Sequence, residues 1–260
     1  CYNAGTVVDT AGNSNNIDAV IGASRGTNTD CYYISGTGTS RKSGVTEADT
    51  LTAAELGSAF KADADGLNGG LPVLTWQERT PDLIIGSYEA FKAFADSVND
   101  GETYAGKLVR LGCNVYLGGS ANAWSPIGSA SSPFKGVFDG GYHVVSGLYI
   151  ASGSSIGLFG DVNGGEIRNL VVRGEVSGSA NAAGIVGKLN AGKVTNCGNE
   201  ADVSGGSCVG GVVGYVNGDC TISGCYNRGA VSGTTGYIGG VTGQHWRAGT
   251  VEDSYNAGTV

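Results

Sequence analysis

From Leu158 to the end of the chain, apolar and polar positions return in the same order every 27 to 29 residues. The stretches LFGDVNGGEIRNLVVRGEVSG, IVGKLNAGKVTNCGNEADVSG, VVGYVNGDCTISGCYNRGAVSG and VTGQHWRAGTVEDSYNAGTV align through Gly160, Gly187, Gly214 and Gly243, spaced 27, 27 and 29 apart. Leu158, Ile185, Val212 and Val241 stand two positions before these glycines. Ile167, Val194, Ile222 and Val251 form a second apolar column, and Val176, Val203, Val231 and Val260 a third. A fourth column is small or apolar (Leu170, Cys197, Cys225, Ser254), and two residues beyond it come Asn199, Asn227 and Asn256. Short β-rich runs at this period, joined by glycine turns, predict one coil of a β-solenoid per repeat. Strands of successive coils then pair in parallel about 4.8 Å apart, and the columns stack inside as ridges. Helical repeats need a 3.6-residue period, which glycine at this density opposes.

The opening segment has the same grammar. CYNAGTV (Cys1 to Val7) matches SYNAGTV (Ser254 to Val260) at six of seven positions, and Cys31 follows Cys1 by thirty. Residues 1–77 therefore read as the last coil and closing segment of one array. Within them TAAELGSAF, with Thr52 and Glu55 as a capping box, predicts a short helix, and NGGLPVLTWQ predicts a turn and a final strand. Residues 78–115 read as a linker, a cap helix and the first strands of a second array. The helix is SYEAFKAFADSVNDG, with Ser87 as cap, Phe91, Phe94 and Val98 on one face, and Asn99-Asp100-Gly101 as stop. KLVRLGCNVYL supplies the first strands, and the segment around WSPIGSASSPFKG an early coil with a longer surface loop. Residues 116–260 are the second array, incomplete at its C-terminal end. If near-copies of residues 8–77 follow Val260, the parent is a string of modules of 253 residues (254 minus 1).

Composition agrees. The 260 residues include 48 glycines, 4 prolines and no methionine, so the chain reads as a piece of something longer. A net charge of −8 without a basic run argues against nucleic acid or an anionic membrane as partner. No apolar stretch approaches the roughly 18 residues of a membrane helix. The seven cysteines form no CxxC pair, which opposes a zinc site. In-register Cys197 and Cys225 point the same way, a poor geometry for a bridge, and read as buried thiols.

GLFGDVNGGEIRNLVV, GGVVGYVNG and GCYNRGAVSG resemble GLUG-type repeats, found in large bacterial surface proteins and beside the catalytic domains of some immunoglobulin-A metallopeptidases. WSPIG…PFKGVFDGGYHVVSGL and LNGGLPVLTWQ resemble the segments that bracket such arrays. The resemblance implies an all-β fold of right-handed parallel β-helix modules with short capping helices, in an extracellular or cell-surface bacterial protein. The HExxH motif of the metallopeptidases is absent, so no protease activity carries over.

Few residues of the sequence point to chemistry. Glu175 and Asp202 share a column, but the next coils place Ala230 and Thr259 there, so the pair reads as a solvated face rather than a catalytic dyad. The asparagine column reads as a stacked amide ladder, with ligand binding as the alternative. DVNGGE and VNDGE lack calcium-hand spacing and read as turns. His143 reads as a surface or half-buried position. His245, Trp246 and Arg247 form the candidate contact patch, because Trp and Arg are favoured at interaction hot spots; a loop covering the core is the competing reading. No catalytic, cofactor-binding or metal-ligating residue is assigned. The expectation is a non-enzymatic structural or adhesive module of a long repeat protein, partnered by neighbouring copies or modules in a stalk or filament. The alternatives are a glycan- or host-protein-binding module and a polysaccharide-active enzyme.

Overall fold

The computed structural model describes residues 79–260 throughout and, before them, residue 62 and the backbone of five short strands. The chain forms two compact units, Cys1–Thr80 and Pro81–Val260. In the first, Tyr2–Asn3, Cys31–Ile34 and Val45–Ala48 pair in parallel, with Tyr2 opposite Tyr32. That is the thirty-residue offset that Cys1 and Cys31 predict. Phe60, placed by the sequence at the end of the helix beginning near Thr52, lies instead in a strand, Phe60–Lys61, antiparallel to Val73–Leu74. The rest of that expected helix lies outside the described residues.

The second unit carries the β-solenoid; parallel strands stack in about six turns, with one short helix. Each full turn visits three sheets. The first sheet stacks Leu83–Ile85, Leu108–Leu111, Val137–Asp139, Glu166–Arg168, Lys193–Thr195, Cys220–Ser223 and Gly249–Glu252. The second begins at Val115–Tyr116 and Val144–Ile150 and runs through Val171–Ser177 and Asp202–Gly210 to Val231–Gly239 and Tyr255–Asn256. The third holds Phe159–Asn163, Val186–Asn190, Val213–Asn217 and Thr242–His245. The columns read from the sequence are the observed registers: Ile167 faces Val194, Val194 faces Ile222, and Ile222 faces Val251.

Three corners per rung require sharp turns, and residues of positive φ recur at each. Between the first and second sheets these are Asn169, Asn196, Gly224 and Asp253; within the last strand segments of the second sheet, where the chain bends towards the third, Ser155, Asn181, Cys208 and Tyr237; between the third and first, Gly164, Ala191 and Gly218. Asn, Asp and Gly enter the left-handed region at least cost, which accounts for most of them. The recurrent marker glycine has a different cause. A Cβ on Gly187 would strike the backbone of Ser155 and Ile156, one on Gly214 that of Asn181 and Ala182, and one on Gly243 that of Cys208 and Val209. The third sheet lies so close to the preceding corner that only glycine fits.

The helix, α1 (Tyr88–Asn99), begins where Ser87 Oγ accepts from the Ala90 N–H at 3.2 Å. It buries Phe91, Phe94, Ala95 and Val98. Phe91 stacks on Trp124 at 5.4 Å, and Phe94 on Phe138 at 5.6 Å, which closes this end of the prism with aromatic rings. Further along, the core is built from Val, Ile and Leu, joined by the small side chains of Cys197, Cys220 and Cys225. Within this second unit, one strand precedes the helix. Leu83–Ile85 already pairs with Leu108–Leu111, so the array starts before its cap and not after it. A run of three apolar residues behind Pro81 is too short to display a period, and sequence reading assigns it to the linker.

Candidate functional site

The asparagine column forms a continuous amide ladder. Asn199 Nδ2 donates to Asn227 Oδ1, and Asn227 Nδ2 to Asn256 Oδ1, each at 2.7 Å. Each Nδ2 also donates to the carbonyl two residues on, in Ala201, Gly229 and Gly258. Asn199 and Asn227 are fully buried, so the ladder is structural and no ligand reaches those two rungs. Across the prism, a Cβ on Gly184, Gly211 or Gly240 would collide with Asn199, Asn227 or Asn256 respectively. These glycines make room for the amides. Sequence reading missed that role, although AAGIVG, VGGVVG and IGGVTG carry the glycine at a fixed offset.

Cys197 and Cys225 are free, buried thiols, as expected. Their sulfurs donate to the carbonyls of Thr195 and Ser223 at 3.2 and 3.3 Å. Burial, with the neighbouring Cys225 sulfur, pushes the Cys197 thiol well above its usual range, so Cys197 stays protonated.

Two charged ladders run along the sheets. In the first sheet Asp139 takes Arg110 Nη2 at 3.0 Å from one side and Arg168 Nε at 3.3 Å from the other. Its second oxygen accepts from the Gly141 N–H and from Asn169 Nδ2. Burial pushes the Asp139 carboxyl up, but these donors and the two guanidinium groups outweigh it and hold the group below its ordinary value. On the second sheet, Glu200 receives Arg173 Nε at 2.7 Å, Tyr226 Oη at 3.1 Å and, at 3.6 Å, Arg228 Nη1. Arg228 lies over the Tyr226 ring, which stacks on Tyr255. Burial raises the Glu200 carboxyl, but Arg173, Tyr226 and Arg228 bring it below normal. Asp139 is saturated with donors and Glu200 is held by three partners, so both are poorly suited to act as acids or bases.

Glu175 and Asp202 do face each other across adjacent rungs. Both are exposed, and Asp202 Oδ1 accepts from the Ala230 N–H, a structural contact. The groove they share, about 200 Å³, is otherwise lined by Val203, Ser204, Ala230 and Ser232, with no basic partner. His143 is half-buried at the turn before Val144–Ile150. His245, Trp246 and Arg247 are all exposed at the corner between the third and first sheets. His245 pairs with Val216 and so occupies an inward column, while the Trp246 N–H donates to the Val216 carbonyl and leaves its indole 60% exposed. Among the described residues, no group of three His, Cys, Asp or Glu side chains could hold a metal ion, and no helix is long and apolar enough to cross a membrane.

No family model and no curated protein matches the chain. A solved structure from Bacteroides ovatus, described as a "putative immunoglobulin A1 protease", is similar at 23% identity and a TM-score of 0.46, over 66% of this chain and 66% of that one.

Proposed function

We propose that this chain is a non-enzymatic structural module of a long extracellular bacterial surface protein, adhesin-like and built from GLUG-type coils, which joins neighbouring copies or modules end to end in a stalk or filament. The observation that carries the reading is where the polar side chains go. Asn199, Asn227, Asp139 and Glu200 are among the best-buried or best-bonded polar groups of the coils, and each is tied to residues one rung away. Such side chains hold a rod together. A polysaccharide-active site would instead need carboxylates and basic groups free in a common cleft. The acidic balance and the resemblance of the repeats support the extracellular assignment.

The joining surface in this reading is the rung of residues 242–256. Its Val251 and Tyr255 stand in stacking columns yet are 41% and 51% exposed. His245, Trp246 and Arg247 flank them and form the contact patch. A parallel strand laid on this rung would extend the amide ladder beyond Asn256 and the ring stack beyond Tyr255. Sedimentation velocity over a concentration series tests the idea. The chain self-associates, and Val251→Lys together with Tyr255→Lys abolishes association without changing the circular dichroism spectrum. A chain that is monomeric throughout the series, or association that survives both substitutions, overturns it.

A further inference from the structure

The longer loop of the early coil builds a groove that the structural role does not use. The third-sheet position of that coil is reduced to two isolated contacts, Ile127 with Phe159 and Phe134 with Val162. Between them the chain leaves the sheet over residues 128–133. The excursion, the corner of residues 152–156 and the end of α1 enclose a groove of about 510 Å³, within the roughly 300–1,000 Å³ of small-molecule sites. Asn99 fixes one wall: its Nδ2 donates to the Pro126 carbonyl, and its Oδ1 accepts from the Gly128 N–H at 2.8 Å. Ser129, Ser152, Ser154 and Ser155 bring hydroxyls to the lining. Asn181 Nδ2 donates to Ser155 Oγ at 3.1 Å, which holds that corner.

Asp161 also lines this groove, and it is 96% buried, with 4% of its surface accessible. Asn190 Nδ2 donates to its Oδ1 at 3.3 Å. A carboxylate offers about four acceptor positions, so capacity remains for a ligand. Lys188 faces Asp161 one rung away and supplies a countercharge, which leaves the site close to neutral. No aromatic and no basic side chain lines the groove. That lining opposes anions and face-on ring stacking. It matches a ligand that presents several hydroxyls edge-on, two of them donating to one carboxylate.

We propose that this groove binds a neutral sugar unit, with Asp161 accepting from adjacent hydroxyls and the serines and Gly153 bordering the ring. The site lies on the flank of the solenoid, far in rungs from residues 242–256, and does not depend on end-to-end joining. The test is an amide-shift titration of the whole chain by NMR with methyl glucoside, methyl mannoside, methyl galactoside and N-acetylglucosamine, each to about 50 mM, the range in which weak sites saturate. At least one sugar shifts Gly128, Ser129, Gly153 to Ile156 and Asp161 saturably. Asp161→Asn, which keeps an oxygen for Asn190, weakens that sugar about tenfold, as expected for a hydrogen bond to a charged group. Ser154→Ala, on the exposed rim, weakens it by a smaller factor, and Glu175→Gln on another face leaves it unchanged. Three results overturn the proposal: no saturable shift with any of the four sugars, shifts confined to Tyr226, Tyr255 or Trp246, or tighter Asp161-dependent binding of ethanolamine than of every sugar.

Discussion

Replacing Asn227 by alanine removes the middle rung of the amide ladder. Its Oδ1 accepts from Asn199 at 2.7 Å, and its Nδ2 donates to Asn256 at 2.7 Å and to the Gly229 carbonyl at 2.9 Å. Asn227 is fully buried, and Gly211 opposite has no side chain to fill the space, so neither water nor a neighbour replaces the lost groups readily. Asn199 Nδ2 keeps its bond to the Ala201 carbonyl, which limits the loss on that side. Two buried partners lose a bond at about 1–2 kcal/mol each, and the small cavity adds about 1 kcal/mol, for a total of about 3–5 kcal/mol. The same change at Asn256, exposed on the last rung, removes one ladder bond and costs about 1 kcal/mol or less. Urea unfolding followed by far-ultraviolet circular dichroism measures the difference. Hydrogen exchange at Cys225 to Val231 then shows whether loss is local, because stacked coils can unfold in parts. An Asn227→Ala chain within 1 kcal/mol of the parent, or one no less stable than Asn256→Ala, would show that the ladder does not hold the coils.

Gly187→Ala should cost about 3 kcal/mol or more, because its Cβ meets backbone that cannot rotate away, whereas Gly164→Ala, open but at φ +77°, should cost only about 1 kcal/mol; equal melting temperatures would refute the close-approach account of the marker glycine. Asp139 and Glu200 are held below their unfolded values, so the stability they contribute is present above about pH 4 and is lost as pH falls through their folded values. Asp139→Asn should therefore flatten the acid limb of a stability-against-pH curve and cost about 2–3 kcal/mol at neutral pH, less than a fully buried pair because both arginines are partly exposed; an unchanged acid limb contradicts the Arg110–Asp139–Arg168 ladder. Asp161, pushed up by burial, carries the opposite sign, and its Asn variant should gain stability relative to the parent as pH rises from about 4 to 7. A brief maleimide pulse on the native chain, read by peptide mass spectrometry, should label Cys113 and spare Cys197, Cys220 and Cys225; labelling of the last three at the rate of Cys113 would mean that the coils open.

The coil was legible because its ridges are long. Four aligned repeats place Ile167, Val194, Ile222 and Val251 in one column, and the structure pairs each with the next. The cap helix was legible for a local reason, since Ser87, Phe91, Phe94 and Val98 follow capping and period rules that need no tertiary partner. What escaped was set by distant contacts. Leu83–Ile85 is a strand because Leu108–Leu111 lies beside it, not because its own three residues say so. Gly184 and Gly211 look like ordinary turn glycines until Asn199 and Asn227 are seen facing them across the prism. The groove at Asp161 was hidden in the same way. DVNGGE reads as a turn, and only folding brings it beside Asn99, Ser129 and Ser154, which come from three separate segments. Surface chemistry on a solenoid is composed from neighbouring rungs, so a single repeat read by itself shows its ladder positions better than its sites.

Cryo-electron microscopy of the associated protein tests the joining of modules most directly. The expected image is a rod in which parallel rungs about 4.8 Å apart continue past Tyr255–Asn256 into a neighbouring module, with Val251 and Tyr255 covered and the amide ladder extended. Isolated particles at every concentration, with Val251 and Tyr255 facing solvent, or an unrelated fold seated on that rung, would contradict it.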